Sequence, residues 1–310
     1  AQLDGLGRLR PNKTTLSYAH VFLESPLTNP QYLPLPTSRK LGPNGPEISP
    51  LAWGMWRFSG DSIAAAQALV EAAFETGVTF FDTADIYGFN GASGFGDAEA
   101  LLGRVLKAAP HLRKAMVLAT KGGIMPPIPY DQSRSYLMSA LDASLQRLGV
   151  DHVELWQVHR PDILTHPQDL ARTLEEMVKS GKVGAVGVSN FTHGHIAALK
   201  SALDIPLVST QPEFSALHLD PLEQGLLDQA MEHGMAVLAW SPLGGGRIAQ
   251  PGTDRERAVA AALDTVAQEF GVSRTAAAYS WIMAHPTRAI PIVGSQQVSR
   301  IREAGNALKV

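Results

Sequence analysis

Asp82 and Tyr87 stand five residues apart in a setting that suits proton transfer. Phe80 and Phe81 read as the buried end of a strand, Asp82 falls where that strand should stop, and Tyr87 follows in a Gly-rich loop. A carboxylate at a strand end beside a phenol suits delivery of a proton to a carbonyl oxygen. The phenol needs help, because its unperturbed pKa of about 10 makes it a poor acid at neutral pH. A nearby cation would supply that help. Lys121 closes the next apolar run, Met116–Thr120, and His159 closes the one after it, Val153–His159. Singly, a Lys after a strand is usually a solvated charge and a lone His a structural residue. Together, Asp, Tyr, Lys and His on three successive strand ends would need a separate structural reason for each. A metal site at His159 and Asp82 is a poor alternative, since no second His or acidic ligand lies at suitable spacing.

The elements that would position these residues follow from the hydrophobic pattern. Short apolar runs at Leu51–Gly54, Thr79–Asp82, Met116–Thr120, Val153–His159, Val183–Val188, Leu207–Gln211, Ala236–Trp240 and Ala289–Val293 read as strands. Between them lie stretches of helical period: Ser62–Glu75 with Asp61 as N-cap, Ser133–Leu148, Gln168–Lys179, His193–Leu203, Gln224–His233, Thr253–Phe270 and Ser273–Ala284. Several end at glycine (Gly77, Gly149, Gly181, Gly234, Gly271), as helix C-termini tend to. Eight strands alternating with helices predict a closed parallel (β/α)8 TIM barrel over residues 49–310, a span of the usual size, rather than an open sheet with one strand misread. Residues 1–48 predict an irregular N-terminal extension with a hairpin around Gly42-Pro43-Asn44-Gly45. In such a barrel the ends of the strands converge on one mouth.

Composition narrows the function classes. The 310 residues are 45% hydrophobic and 18% charged, with a formal net charge of −3, and no basic tract argues for a nucleic-acid partner. No apolar run approaches the roughly 20 residues that span a membrane. The first residues do not resemble a signal peptide, so cytoplasm is the expected compartment. The absence of cysteine excludes disulfides, thiolate catalysis and Cys-ligated metals.

The other strand ends complete a pattern: Gly54-Met55-Trp56-Arg57, Ser189-Asn190, Gln211-Pro212-Glu213, Trp240-Ser241-Pro242-Leu243-Gly244-Gly245-Gly246-Arg247 and Gly294-Ser295. With FDTADIYG (Phe81 to Gly88), ATKGG (Ala119 to Gly123), QVHRPD (Gln157 to Asp162) and GVSNF (Gly187 to Phe191), the chain from about Ile48 onward resembles the aldo-keto reductases, in particular their bacterial-type oxidoreductases. That family reduces carbonyls with NAD(P)H on a (β/α)8 barrel. The resemblance implies a catalytic tetrad of Asp82, Tyr87, Lys121 and His159. Tyr87 would be the general acid, Lys121 paired with Asp82 would lower its pKa, and neutral His159 would orient the carbonyl. It implies that Ser189, Asn190 and Gln211 hold the nicotinamide carboxamide and that Trp240 stacks on the ring. Gly54 and Met55 would touch the cofactor, with Trp56 facing substrate. Ser241, Pro242, Leu243, Gly244 and Arg247 would line the pyrophosphate channel. Gly294, Ser295 and Arg300 would meet the adenosine end.

Arg300 favours NADP(H), with NAD(H) the alternative, because Gly294 and Ala304 replace the lysine and asparagine that many members carry there. The chain stops at Leu308-Lys309-Val310, short of a C-terminal segment that shapes the pocket in many members, and the resemblance leaves the carbonyl substrate unnamed. The family acts mostly as monomers, which is the expectation here. A competing reading is a nicotinamide-binding regulatory protein or redox sensor with little turnover. Another is a phosphate-binding barrel isomerase or aldolase, which would bind no nicotinamide.

Overall fold

A computed structural model describes residues 38–310. Two short antiparallel strands, β1 (Arg39–Lys40) and β2 (Glu47–Ile48), form the hairpin expected at Gly42–Gly45. Eight further strands follow: β3 (Ala52–Gly54), β4 (Phe80–Asp82), β5 (Val117–Gly122), β6 (Val153–Val158), β7 (Val183–Ser189), β8 (Leu207–Gln211), β9 (Ala236–Ala239) and β10 (Ile290–Val293). They pair in parallel in chain order, and β10 returns to β3 to close a barrel. The rest of residues 1–48, before residue 38, lies outside the described residues.

The helices follow the expected pattern with some differences. They are α1 (Ile63–Glu75), α2 (Asp97–Ala108), α3 (Pro110–Ala115), α4 (Arg134–Leu148), α5 (Pro167–Lys179), α6 (His193–Lys200), α7 (Asp220–Glu223), α8 (Leu226–Glu232), α9 (Asp254–Phe270), α10 (Arg274–Ala284) and α11 (Val298–Ala304). The N-cap of α1 is Ser62, whose hydroxyl accepts from the Ala65 N–H, and not Asp61. The helix expected over Gln224–His233 is α8, which starts at Leu226 because Gly225, at φ +73°, is its N-cap and separates it from the short α7. Helices α2, α3, α7 and α11 add to those expected. All five glycines expected to end helices have positive φ, between 62° and 82°, the left-handed conformation that glycine adopts at little cost.

Side-chain alternation along the strands separates core from site. Phe80, Ala119 and Leu155 belong to one buried apolar cluster with Ala52, Ala236, Leu238 and Ile290. Two residues further along the same strands stand Asp82, Lys121 and Gln157, and Lys121 and Gln157 are register partners. A polar layer therefore sits directly above an apolar one. At the other end of the barrel the hairpin contributes Leu41 and Ile48 to the same apolar cluster. Its Gly42 lies so close to β8 that a Cβ there would meet the Val208 carbonyl oxygen at 2.2 Å.

The register slips between Val186 and Gly187 where β7 meets β8. Gly187 is required at that slip, since a Cβ would meet Ser209 Oγ at 2.1 Å. The slip leaves Ser189 paired with Gln211, so that two more polar residues face each other near the mouth.

Candidate active site

Lys121 is fully buried, and it lies within β5 rather than after it. Its ammonium donates to Asp82 Oδ2 at 2.6 Å and to the Thr83 carbonyl at 2.8 Å. It also stands 4.9 Å from the centre of the Tyr87 ring. An ion pair this deep persists only when its remaining lone pairs find donors. Asp82 meets that condition: its Oδ1 accepts from Gln157 Nε2 at 3.2 Å and from Gln211 Nε2 at 3.0 Å.

Tyr87 sits on the loop between β4 and α2. That loop prolongs the β4–β5 pairing: the Thr83 N–H donates to Ala119 O and the Asp85 N–H to Lys121 O, at 2.9 and 3.0 Å. The His159 ring meets the Tyr87 ring edge-on with centroids 5.7 Å apart. Burial, the charge of Lys121 and that of Arg160 together hold His159 well below the usual histidine range, so it is neutral at physiological pH. The four residues that the sequence singles out thus converge.

Lys121 acts on Tyr87 in the expected direction, but the net shift is the opposite of the one expected. Burial pushes the phenol up, Lys121 pulls it down, and Asp82 pushes it up again. Burial wins, and Tyr87 stays above its ordinary value. Lys121 keeps a buried phenol from becoming weaker still, without bringing it below the free value. Lys121 itself stays charged, since the attraction of Asp82 and Tyr87 outweighs its own burial.

A second chain of bonds runs from His159 around the mouth. Asn190, held at φ +59°, donates through Nδ2 to the His159 carbonyl and to Ser189 Oγ, both at 3.0 Å. Its Oδ1 accepts from Trp240 Nε1 at 3.0 Å, which fixes the plane of the indole. Ser189 Oγ donates to the Gln211 carbonyl at 2.9 Å. Ser189, Asn190, Gln211 and Trp240 therefore form one connected set with the tetrad.

The remaining expected site residues fall in three places. Gly54 lies under Gln296, whose Nε2 donates to the Gly54 carbonyl at 3.3 Å, and Met55 is buried beside it. Trp56 is 67% exposed at the rim with the Arg57 guanidinium 4.9 Å from its ring centre. After β9, Pro242 and Gly244 are buried, and Leu243 packs on the cluster of Leu217 and Ile248. Ser241 and Arg247 lie further out, and Ser241 Oγ accepts from the Gly245 N–H at 3.0 Å. Gly245 and Gly246, not singled out from sequence, are exposed with nothing within 4 Å of a Cβ position. Gly294 is equally open, Ser295 accepts from Trp53 Nε1 through its carbonyl, and Arg300 is exposed on α11.

Sequence reasoning also missed Gln157, a ligand of Asp82, although it opens the motif that contains His159. Among the described residues no cluster of His, Asp and Glu could hold a metal ion, and no helix is long and apolar enough to cross a membrane.

The profile of the aldo/keto reductase family matches residues 50–310. The chain belongs to the aldo/keto reductase family. This aldo/keto reductase is 61% identical over 281 residues to a 6-dehydroglucose reductase of Novosphingobium aromaticivorans, a match covering 90% of this chain and 92% of the relative. It is 40% identical to a 6-dehydroglucose reductase of Agrobacterium fabrum, over 85% and 90% of the two chains. A thermostable aldo-keto reductase crystallised with the inhibitor epalrestat superposes with a TM-score of 0.75 at 25% identity, covering 88% of this chain and 94% of that one. Family membership makes the protein an oxidoreductase of small carbonyl compounds that works with a nicotinamide cofactor.

Proposed function

We propose that this enzyme reduces the 6-aldehyde of a hexose to the primary alcohol with NADPH, Tyr87 giving the proton. The observation that carries the chemistry is the buried Asp82–Lys121 pair beneath the Tyr87 ring, with a neutral His159 edge-on to it. The substrate class rests on two relatives named 6-dehydroglucose reductase.

The pocket residues fit a nicotinamide. Gln211 makes its two bonds through Nε2, leaving Oε1 for a carboxamide N–H. The Trp240 plane is fixed by Asn190, and the open backbone at Gly245 and Gly246 suits phosphate oxygens. Arg300 would hold a 2′-phosphate. When bound, the reduced nicotinamide supplies a hydride to the carbonyl carbon.

The chain's own residues handle the proton. The Tyr87 O–H donates to the carbonyl oxygen, and its proton moves there as the new C–H bond forms and the C=O π pair shifts onto that oxygen. The Lys121 ammonium stabilises the phenolate left behind. Asp82, gripped by Gln157 and Gln211, keeps Lys121 in place and acts only through it. Neutral His159 donates from one ring nitrogen to the same carbonyl oxygen and aims it at the phenol.

The test follows oxidation of NADPH by absorbance with the 6-aldehyde of glucose and a panel of simple aldehydes. The sugar aldehyde should turn over fastest, and Tyr87→Phe should lose turnover by at least about a hundredfold while keeping NADPH affinity. Full activity in Tyr87→Phe, or no turnover of any carbonyl by the parent, would overturn the reading. Arg300→Ala should weaken NADPH binding about tenfold and leave NADH unchanged. Equal loss for both cofactors would refute the 2′-phosphate assignment.

A further inference from the structure

Asp85 shares the loop with Asp82 and Tyr87, yet no step of the mechanism uses it. Its side chain is 1% exposed, and neither carboxyl oxygen has a hydrogen-bond partner in the protein. The cations near it are already committed. Lys121 is paired with Asp82. Arg147, from α4, gives Nε and Nη2 to Glu99 Oε2 at 2.8 and 2.7 Å, and the other Glu99 oxygen takes the Thr120 hydroxyl. Tyr136, also on α4, spends its hydroxyl on the Ile124 carbonyl at 3.1 Å. An ionised carboxylate sealed without a cation of its own and with only the Ile86 N–H beside it would be strongly unfavourable.

One buried donor nearby is unspent. Trp156 Nε1 has no partner, and its ring packs on Gly122, the residue after Lys121. A Cβ on Gly122 would meet Trp156 Cζ2 at 2.8 Å and Asp85 Oδ2 at 3.2 Å, so carboxyl and indole flank the same glycine.

We propose that Asp85 works as an uncharged carboxylic acid, packed with Trp156 against Gly122, and positions the loop that carries Tyr87. Burial, then the charge of Glu99, act in the same direction and outweigh Arg147, the neighbouring Ile86 N–H and Lys121. The neutral form matters to the chemistry because the surroundings of Tyr87 then contain one carboxylate, Asp82, balanced by one ammonium. A charged Asp85 would be a second anion and would weaken the acid. The backbone bond from Asp85 N–H to Lys121 O ties that loop to β5. This role rests on the proposed part of Tyr87 as proton donor.

Thermal unfolding as a function of pH tests the charge state without any substrate. An aspartate neutral when folded but ionised when unfolded loses stability steadily as pH rises above its ordinary pKa, up to its folded pKa. Asp85→Asn removes that loss, so its Tm advantage over the parent should widen steadily as pH rises above the ordinary aspartate range. A difference flat in pH would overturn the proposal. A carbonyl-stretch infrared band of a protonated carboxyl, present in the parent near neutral pH and missing in Asp85→Asn, is the matching signature, and its absence from the parent counts against the idea. For positioning, Asp85→Ala should lower kcat about tenfold with KM little changed, and Asp85→Asn should restore it. Equal loss in both variants, or no loss in Asp85→Ala, would overturn the positioning role. Should Asp85→Ala not fold, Asp85→Asn alone decides, through its kcat and the pH dependence of its Tm. A protein that reduced no sugar aldehyde would leave the unfolding and infrared results untouched, which separates the two failures.

Discussion

Removing the cation from beneath Tyr87 gives the most direct test of the mechanism. The Lys121 ammonium lies 4.9 Å from the ring centre. At an effective dielectric constant of about 20, it stabilises a phenolate there by about 3.4 kcal/mol, or about 2.5 pKa units. A transition state carrying about half of that negative charge would lose half of this, a rate deficit of roughly twentyfold. Lys121→Met alone confounds the result, because it strands the buried Asp82 charge at a stability cost of about 3–5 kcal/mol. The double variant Asp82→Asn/Lys121→Met removes both charges, while the amide oxygen that replaces the carboxylate still accepts from Gln157 and Gln211. Its Tm should recover most of what the single variant loses, while kcat stays down by at least about twentyfold. The pH dependence has a definite sign. Reduction needs the protonated phenol, so its rate falls as pH rises through the Tyr87 pKa, which burial already holds above the ordinary value. Loss of Lys121 raises that pKa further, so the decline in reduction moves to higher pH. Alcohol oxidation, which needs phenolate, should begin only at higher pH. Steady-state reduction and oxidation across pH, read by cofactor absorbance, decide the matter. A double variant within about threefold of the parent kcat, or an oxidation limb displaced to lower pH, would refute the role given to Lys121.

Two further expectations concern stability. Gly187→Ala should destabilise the barrel by about 1–3 kcal/mol through the clash with Ser209 Oγ. Because that hydroxyl is buried without a partner, Gly187→Ala/Ser209→Ala should regain most of the loss in a denaturant melt. Independent, additive losses would place the strain elsewhere. His159 is held neutral when folded, so below the ordinary histidine pKa of about 6.5 the unfolded chain takes up a proton that the native state refuses. Stability should therefore fall as pH drops through that value, and His159→Gln should flatten this part of the Tm profile.

The barrel was legible because its signals are local. Eight apolar runs, the helical period between them, and glycines at positive φ closing helices each need only a few neighbouring residues. The tetrad was legible for a related reason: strand ends of a closed barrel must meet, so residue types at those ends predict a shared site. What stayed hidden depends on packing across strands. Helix α2 buries Ala98, Leu101, Leu102, Val105 and Leu106, but it starts at Gly96 without a capping side chain, and a Gly-rich loop masks its beginning. The short α7, Asp220–Glu223, was missed too, since four residues are too few to show a helical period. The sign of the Tyr87 shift could not be read from charges alone, because burial is the largest contribution and sequence does not report it. Asp85 is hidden by its motif. It reads as one more loop carboxylate until its oxygens prove sealed and unpaired.

The side chains also explain why the four converging residues and the proposed cofactor pocket are one structure. Asp82 Oδ1 is held by Gln157 and Gln211, and the Gln211 carbonyl accepts from Ser189. Asn190 joins Ser189 to His159 and to Trp240. Gln211 thus steadies the carboxylate through one end of its amide and presents the other end toward the proposed carboxamide site. A change at Gln211 cannot be confined to cofactor affinity. Gln211→Met, which abolishes both ends, should raise the Kd for the nicotinamide and lower kcat together, because Asp82 loses a donor in the same stroke. Gln211→Glu retains an acceptor for the carboxamide but sets a second carboxylate against Asp82, so kcat should suffer more than affinity. Fluorescence titration of the cofactor beside single-turnover kinetics separates the two effects. A Gln211→Met enzyme with weak binding and a normal chemical step would break the link between pocket and tetrad.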